Sequence, residues 1–191
     1  MDFHTLCIGC RTYRRFKQKQ IPEEILDELL ENARIANSAM NGQPLRYVLV
    51  KTSEAVRKIQ PCFHFAAALP KELGQPKEGE QPAAFIILCT EGRETPWTGI
   101  DIGIAVRTMN LNAYVYGIGS CIIGNVEFEK VKEILSIPET WIPRLALALG
   151  YPSHKSSLVE LPEDGSIKYY LDEERQYYVP KRKQEDISII R

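Results

Sequence analysis

The segment from Arg11 to Arg15, which we call the arginine segment, carries the residue types that most readily bind an anion. Three guanidinium groups and the Thr12 hydroxyl lie within five residues. If the backbone is extended, successive side chains point to opposite sides, so the segment can contact two parts of one ligand. Arginine binds phosphate through paired hydrogen bonds, each contributing about 1.5–3 kcal/mol. A phosphomonoester is therefore a candidate ligand, although a solvated basic turn ahead of a helix accounts for the same residues.

A second polar segment lies at 37–44, which we call the polar turn, between the end of a predicted helix and a predicted strand. Helix termination accounts for Gly42 and Pro44, and capping accounts for any single polar residue. Neither accounts for Ser38, Asn41 and Gln43 together. This group of hydroxyl and amide side chains predicts a second ligand-contacting segment.

The elements that must position these residues have clear helix and strand patterns. Residues 21–37 place apolar side chains at helical spacing, with Pro22 suited to the first turn and Glu23 and Glu24 opposing the helix dipole. The other segments with a pattern are buried strands at 46–51, 83–89 and 144–150, a largely apolar helix at 100–116 and a short helix at 127–135. Together they predict a three-layer domain of the α/β or α+β class.

The helix at 100–116 is apolar on most faces, so we expect it to lie at the centre of the fold, buried on nearly all sides. Gly103 inside this helix costs about 1 kcal/mol relative to alanine. That cost predicts the close approach of another backbone at Gly103.

Two segments do not fit a compact single chain. Residues 61–82, which we call the excursion, contain four prolines and two glycines and are longer than an ordinary connection. Such excursions often cover a site. The tail, residues 166–190, carries four tyrosines and then alternating isoleucines, a strand-like pattern that predicts packing on a neighbouring subunit.

The composition fits one domain spanning residues 1–191. The chain is 44% hydrophobic and 26% charged with a net charge of −1, which indicates neither a nucleic-acid nor a membrane partner. No segment has the length of a signal peptide or a membrane span, so we expect a cytoplasmic protein. The five cysteines cannot all pair, which suits free thiols in a reducing compartment.

Two weaker motifs point to other functions. Cys7 and Cys10 form a C-x-x-C pair, which leaves a thiol redox sensor open. A tetrahedral metal site needs two more ligands and His4 adds only one, so no metal is expected. The glycines at 117 and 119 do not begin a dinucleotide fingerprint, because the third glycine position is Ile122 and a helix precedes the motif.

The motifs together resemble those of the nitroreductase family. The family's R-[ST]-x-R-x-F and S-x-x-N-x-Q-P motifs match, in that order, Arg11, Thr12, Arg14 and Phe16, and then Ser38, Asn41, Gln43 and Pro44. The segments GIGSCIIG at 117–124 and VPKRKQEDISII at 179–190 are similar to later parts of the family pattern, so the resemblance covers essentially the whole chain. It points to a compact bacterial and archaeal subgroup with PKEGE at 76–80. It implies an α+β fold with three α-β-α layers, a central mixed but mainly antiparallel sheet and an extended carboxyl-terminal tail.

The resemblance also implies a homodimer that binds FMN at the subunit interface. Arg11 and Thr12 would contact the phosphate, and Lys181 and Arg182 would close over it from the tail. Arg14 would lie near the pyrimidine edge of the ring, where a cation favours the reduced state and raises the reduction potential. The polar turn would supply further contacts, Ser38 and Asn41 from the partner subunit, together with Ala39 and Gln43.

The activity implied is hydride transfer from NADH or NADPH, by way of FMN, to a small electron-poor acceptor such as a nitroaromatic, quinone, enone or flavin, with ping-pong kinetics. Gly124 would present its backbone N–H to flavin N5, and Ile122 and Ile123 would pack on the ring. Where many members have a further arginine this chain has Cys10, which removes one cation from the phosphate site. The alternatives are a flavin-binding or C-x-x-C thiol redox sensor, or an enzyme of the same fold with dehalogenase or flavin-fragmenting chemistry.

Overall fold

The computed structural model describes residues 1–191, except the side chain of Lys71. Its helices are α1 (Phe3–Gly9), α2 (Glu23–Arg34), α3 (Ser53–Ile59), α4 (Lys71–Gly74), α5 (Thr98–Val115) and α6 (Phe128–Leu135). Its strands are β1 (Phe16–Lys17), β2 (Leu45–Val50), β3 (Ala84–Glu91), β4 (Gly119–Ile123), β5 (Trp141–Pro152), β6 (Ser156–Glu160), β7 (Tyr170–Leu171) and β8 (Tyr177–Lys181). Of these helices, none combines the length and hydropathy needed to cross a bilayer.

The central sheet has the strand order β1-β5-β3-β2, and β4 also pairs with β5. Every pair of named strands in it is antiparallel, while a single parallel bridge joins Thr12 to Ser120. A second, smaller sheet contains β6, β8 and β7, with β6 parallel and β7 antiparallel to β8. The expected mixed, mainly antiparallel sheet is confirmed.

The core lies on both faces of this sheet, because successive side chains of a strand point in opposite directions. From β3, Phe85, Ile87 and Cys89 enter one apolar cluster with residues of α3 and α6. Ile86 and Leu88 enter the other, with residues of α2 and α5. Helices therefore cover both faces, and the predicted α+β fold with three layers is confirmed.

Helix α5 is less enclosed than its composition predicts. Ala105, Met109 and Ala113 are buried against the sheet, but Ile100 and Val115 are 52% and 55% exposed. The prediction of burial on nearly all sides is therefore wrong for the single chain. The predicted close approach of another backbone at Gly103 is also wrong within the single chain, because a Cβ atom at Gly103 would meet nothing within 4 Å.

The excursion and the part of the tail up to β8 pack on their own chain. Phe63 and Phe65 of the excursion are buried in the core beside β3. The tail tyrosines belong to or flank β7 and β8. The terminal isoleucines at 187, 189 and 190 lie outside any strand and are exposed, so the strand-like pattern predicted there is wrong within the single chain.

Candidate functional site

The arginine segment lies alongside β4. The backbone N–H of Tyr13 donates to the carbonyl of Ser120 over 2.9 Å, next to the Thr12–Ser120 bridge. The Tyr13 ring packs where a side chain at Gly119 would stand, since a Cβ atom there would lie 2.7 Å from the ring. Only glycine allows this approach, so Gly119 contributes to the site by placing the arginine segment rather than by binding a dinucleotide.

Cys10 anchors the start of the arginine segment to α5. Its thiol donates to Asn110 Oδ1 over 3.0 Å, and the buried Asn110 amide in turn donates to Ser120 Oγ. Burial raises the pKa of the Cys10 thiol above its ordinary value. Because a reactive cysteine needs a lowered pKa, this environment favours a structural role for Cys10 over a redox sensor.

Arg11 and Arg14 carry the free positive charge of the site. Arg11 donates to the backbone carbonyl of Cys7, and the guanidinium of Arg14 stacks on the rings of Tyr169 and Tyr177, 4.6 and 4.8 Å from their centroids. The Nε atoms of both arginines are buried without a hydrogen-bond partner. Within the described residues, neither of these two arginines forms an ion pair with an acidic side chain, whereas Arg15 and Arg175 do.

This arrangement suits an anionic or acceptor-rich ligand. Stacking on tyrosine occupies the face of the Arg14 guanidinium, whereas its N–H groups point outward in the plane and remain able to donate. Unpaired buried donors are costly, so their presence in Arg11 and Arg14 indicates a partner that completes the site.

His154, which no motif in the sequence singles out, is buried beside the arginine segment. Its ring centroid lies 4.9 Å from that of Tyr177 and 5.5 Å from that of Tyr13, and neither ring nitrogen has a hydrogen-bond partner. Burial, followed by the charge of Arg15, lowers the pKa of His154 to about 4. The imidazole is therefore neutral at physiological pH, so His154 adds no positive charge beside the arginine segment.

We expect His154 to make the fold sensitive to acid. Its pKa is lower in the folded chain than the ordinary 6.5, so the unfolded chain takes up a proton first as the pH falls. Stability is then lost between about pH 6.5 and pH 4, on the order of 3 kcal/mol in full. Chemical denaturation of His154→Phe at pH 7.5 and 4.5 should show a smaller pH-dependent loss than the unaltered chain. Equal losses in the two proteins would contradict the assignment.

The polar turn is fixed by a carboxylate that sequence reasoning missed. Asp101, in the first turn of α5 and 5% exposed, accepts from the backbone N–H of Ala39 over 2.9 Å and from the Ser38 hydroxyl over 3.1 Å. The Ser38 oxygen itself accepts from the backbone N–H of Gln43 over 3.0 Å. The donors that Ser38 and Ala39 were expected to offer a cofactor are thus already used. The negative charge of Asp101 also favours the start of a helix.

Replacing Asp101 by alanine should therefore loosen the polar turn. Within this turn Met40, Asn41 and Gln43 have positive φ angles of 51°, 54° and 45°, a conformation that non-glycine residues rarely adopt without support. We expect the free energy of unfolding to fall by about 2–3 kcal/mol, the value of one or two charged hydrogen bonds. Asp27→Ala, on the exposed face of α2, is the matched control. A loss no larger than that of the control would refute the anchoring role.

The remaining predicted site residues lie at the end of β4 and in the tail. Ile122 is 43% exposed, whereas Ile123 is 4% exposed and packs in the core. The prediction that both side chains pack on a flavin is wrong for Ile123, because neighbouring residues of a strand face opposite sides. Gly124 is exposed just past the end of β4. Lys181 ends β8 and Arg182 follows it, both exposed.

Comparison with known proteins gives consistent matches. A family model described as the Nitroreductase family matches residues 9–151. The chain is 28% identical to an NADH dehydrogenase of Thermus thermophilus, over 81% of this chain and 89% of the relative. It is 26% identical to an FMN reductase [NAD(P)H] of Bacillus subtilis, over 77% of this chain and 64% of the relative.

A solved structure shows the same fold. The nitroreductase family protein of Streptococcus pneumoniae superposes with a TM-score of 0.68, covering 87% of this chain and 99% of that chain. The sequence identity is 21%, so this likeness bears on the fold alone.

Proposed function

The chain belongs to the nitroreductase family, and from that premise we propose that it is an FMN-dependent oxidoreductase that takes hydride from NADH or NADPH and passes it to a small electron-poor acceptor. Two similar proteins are named as an FMN reductase [NAD(P)H] and an NADH dehydrogenase, which supports this class of chemistry. The acceptors that fit are nitroaromatics, quinones, enones and free flavins. Five free cysteines suit a cytoplasmic location.

The observation that carries the proposal is the pair of buried, unpartnered Nε atoms in Arg11 and Arg14. FMN has a phosphate and a ring edge with several hydrogen-bond acceptors. The unpaired N–H groups of Arg11 and Arg14 can donate to groups of both kinds. Arg11 and Thr12 would bind the phosphate, with Lys181 and Arg182 joining from the tail. The residues present therefore fit FMN.

Bound FMN supplies the chemistry of accepting and then releasing a hydride. The chain's own contribution is to bind, orient and bias that group. Arg14, held by its two tyrosines, would place a fixed positive charge where reduction adds negative charge. The backbone N–H of Gly124 would hydrogen-bond the ring at N5, and Ile122 would cover part of one face. Donor and acceptor would bind in turn on the open side, which predicts ping-pong kinetics.

We propose a homodimer with FMN between the subunits. Ile100, Val115 and Trp97 leave an apolar strip along and beside α5 exposed, and Met40 in the polar turn is 88% exposed. Because Ser38 and Ala39 are bound to Asp101, the side chains of Asn41 and Gln43 are the parts of the turn best placed to reach a ligand of the partner subunit.

Anaerobic titration of the purified, FMN-loaded protein with NADH and then NADPH tests the proposed function. We expect bleaching of the flavin band by at least one of the two, followed by reoxidation with a quinone or nitroaromatic. A flavin band that neither nucleotide bleaches would refute the assignment. The double variant C7S/C10S should keep this activity, since a serine hydroxyl can donate to Asn110 Oδ1 as the Cys10 thiol does. Loss of activity with FMN still bound would instead favour the thiol sensor.

A further inference from the structure

Arg15 differs from Arg11 and Arg14 because it is turned into the protein and paired. It is 7% exposed, and its Nη1 atom lies 3.9 Å from Glu80 Oε1. Its Nη2 atom donates to the backbone carbonyl of Arg175. The arginine segment thus reaches both the excursion, through Glu80, and the tail, through Arg175.

Glu80 closes a triangle with these two arginines. The guanidinium of Arg175 donates to its two carboxylate oxygens over 2.8 and 3.2 Å. The backbone N–H of Lys77 donates to Glu80 Oε2 over 2.9 Å, and the N–H of Phe16 donates to the Glu80 carbonyl, also over 2.9 Å. One carboxylate, aimed by its own turn, is therefore hydrogen-bonded to Arg175 and within ion-pair distance of Arg15, two arginines far apart in the sequence.

The triangle holds the turn that precedes β8, a strand that also pairs with β6. Arg175 occupies the turn between β7 and β8 with a φ of 61°, and two residues later Tyr177, 1% exposed, stacks on Arg14. The strand that begins at Tyr177 ends at Lys181. A fixed Arg175 therefore fixes both the tyrosine that orients Arg14 and the strand that carries the basic pair at 181–182.

We propose that Glu80 is a positioning residue for the cofactor: it holds Arg15 and Arg175 together and so keeps the tail tyrosines at the arginine segment, and with them the strand that carries the basic pair. This inference rests on the proposed function, because it takes FMN to be the ligand of that segment. The proposed role of Glu80 involves no contact with FMN itself.

Electrostatics explains why the carboxylate is needed. Without it, two largely buried guanidinium groups would face each other with only Asp172 to offset the charge of Arg15, more weakly than Glu80 does, and removing one partner of a buried ion pair is far more damaging than replacing the whole pair. Burial opposes ionisation of Glu80, but the hydrogen bonds from Arg175 and from the Lys77 amide, with the two positive charges, outweigh it and lower the pKa of the carboxyl. The triangle is therefore charged at neutral pH.

Hydrogen exchange of the full-length protein without FMN tests the first half of the proposal. In Glu80→Gln we expect the amides of 170–181 to exchange at least about tenfold faster than in the unaltered chain, while those of β3 are unchanged. Glu78→Gln, an exposed residue of the same excursion, should leave both segments as they are. Tail exchange in Glu80→Gln equal to that of the unaltered chain would overturn the proposal.

Binding of FMN and of riboflavin tests the second half. Glu80→Gln should raise the dissociation constant for FMN by roughly tenfold and that for riboflavin by much less, because only FMN has a phosphate for the basic pair of the tail. Glu80→Asp, which keeps the charge, should recover part of the loss. The losses of FMN affinity in Glu80→Gln and in Arg175→Gln should not add in the double variant, as expected for two residues of one network. Additive losses, or equal weakening of FMN and riboflavin, would overturn the positioning role.

The two measurements separate this inference from the function on which it rests. If the unaltered chain binds no FMN, the proposed function is wrong and the positioning role falls with it, whatever the tail does. If the unaltered chain binds FMN tightly while Glu80→Gln neither loosens the tail nor weakens binding, the function stands and the inference about Glu80 alone is wrong.

Discussion

Replacing Arg11 by alanine is expected to weaken FMN binding by roughly 10- to 100-fold. The Nε of Arg11 is buried without a partner and Arg11 forms no ion pair among the described residues, so its charge is available to a phosphate. One charged hydrogen bond contributes about 1.5–3 kcal/mol, and each 1.4 kcal/mol is about a factor of ten in affinity. Fluorescence titration of the flavin-free protein with FMN gives the dissociation constant directly.

Riboflavin provides the internal comparison for Arg11→Ala. It lacks the phosphate, so its weaker binding should change by less than about threefold, a difference of roughly 0.7 kcal/mol. Arg93→Ala, an exposed arginine in the loop between β3 and α5, should alter neither constant. An Arg11→Ala variant that binds FMN as tightly as the unaltered chain would show that the phosphate lies elsewhere.

Replacing Arg14 by alanine is expected to lower the reduction potential of bound FMN by about 30 mV or more. Reduction adds negative charge to the ring, and a fixed cation beside it stabilises the reduced state more than the oxidised state. For a two-electron couple, about 30 mV corresponds to about 1.4 kcal/mol. Spectroscopic titration against a reference dye measures the potential, and we expect FMN retention to change less than in Arg11→Ala.

Arg14→Lys separates charge from stacking. Lysine keeps the positive charge but loses the planar guanidinium that stacks on Tyr169 and Tyr177. This variant should therefore lower the reduction potential of bound FMN much less than Arg14→Ala does. Variants of Arg11 and Arg14 that change potential and affinity to the same extent would contradict the separate roles assigned to the two arginines.

The layers of the fold follow from local patterns. Strand β3 is apolar at nearly every position and is buried on both faces, and α2 has its apolar residues on one side. Helix α5 was located correctly, but its degree of burial could not be predicted from one chain. Its residues are apolar on several faces, and composition does not say whether a face meets its own sheet or another subunit.

The arginine segment and the polar turn could be singled out from the sequence as candidate site segments, whereas the residues that fix them could not. The arginine segment and the polar turn are short runs of unusual composition. Asp101, His154 and Glu80 act on those segments across large sequence separations, and a single carboxylate or imidazole in a helix or loop has no local pattern. The inward orientation of Arg15 was missed for the same reason, because its partners come from the excursion and the tail.

The most direct test of the account is the affinity of the flavin-free protein for FMN relative to riboflavin at fixed low salt. We expect one FMN per chain and a dissociation constant at least about 100-fold lower for FMN than for riboflavin, the contribution of two or more charged contacts to the phosphate. Equal affinities for the two flavins, or no saturable binding of FMN, would contradict the account.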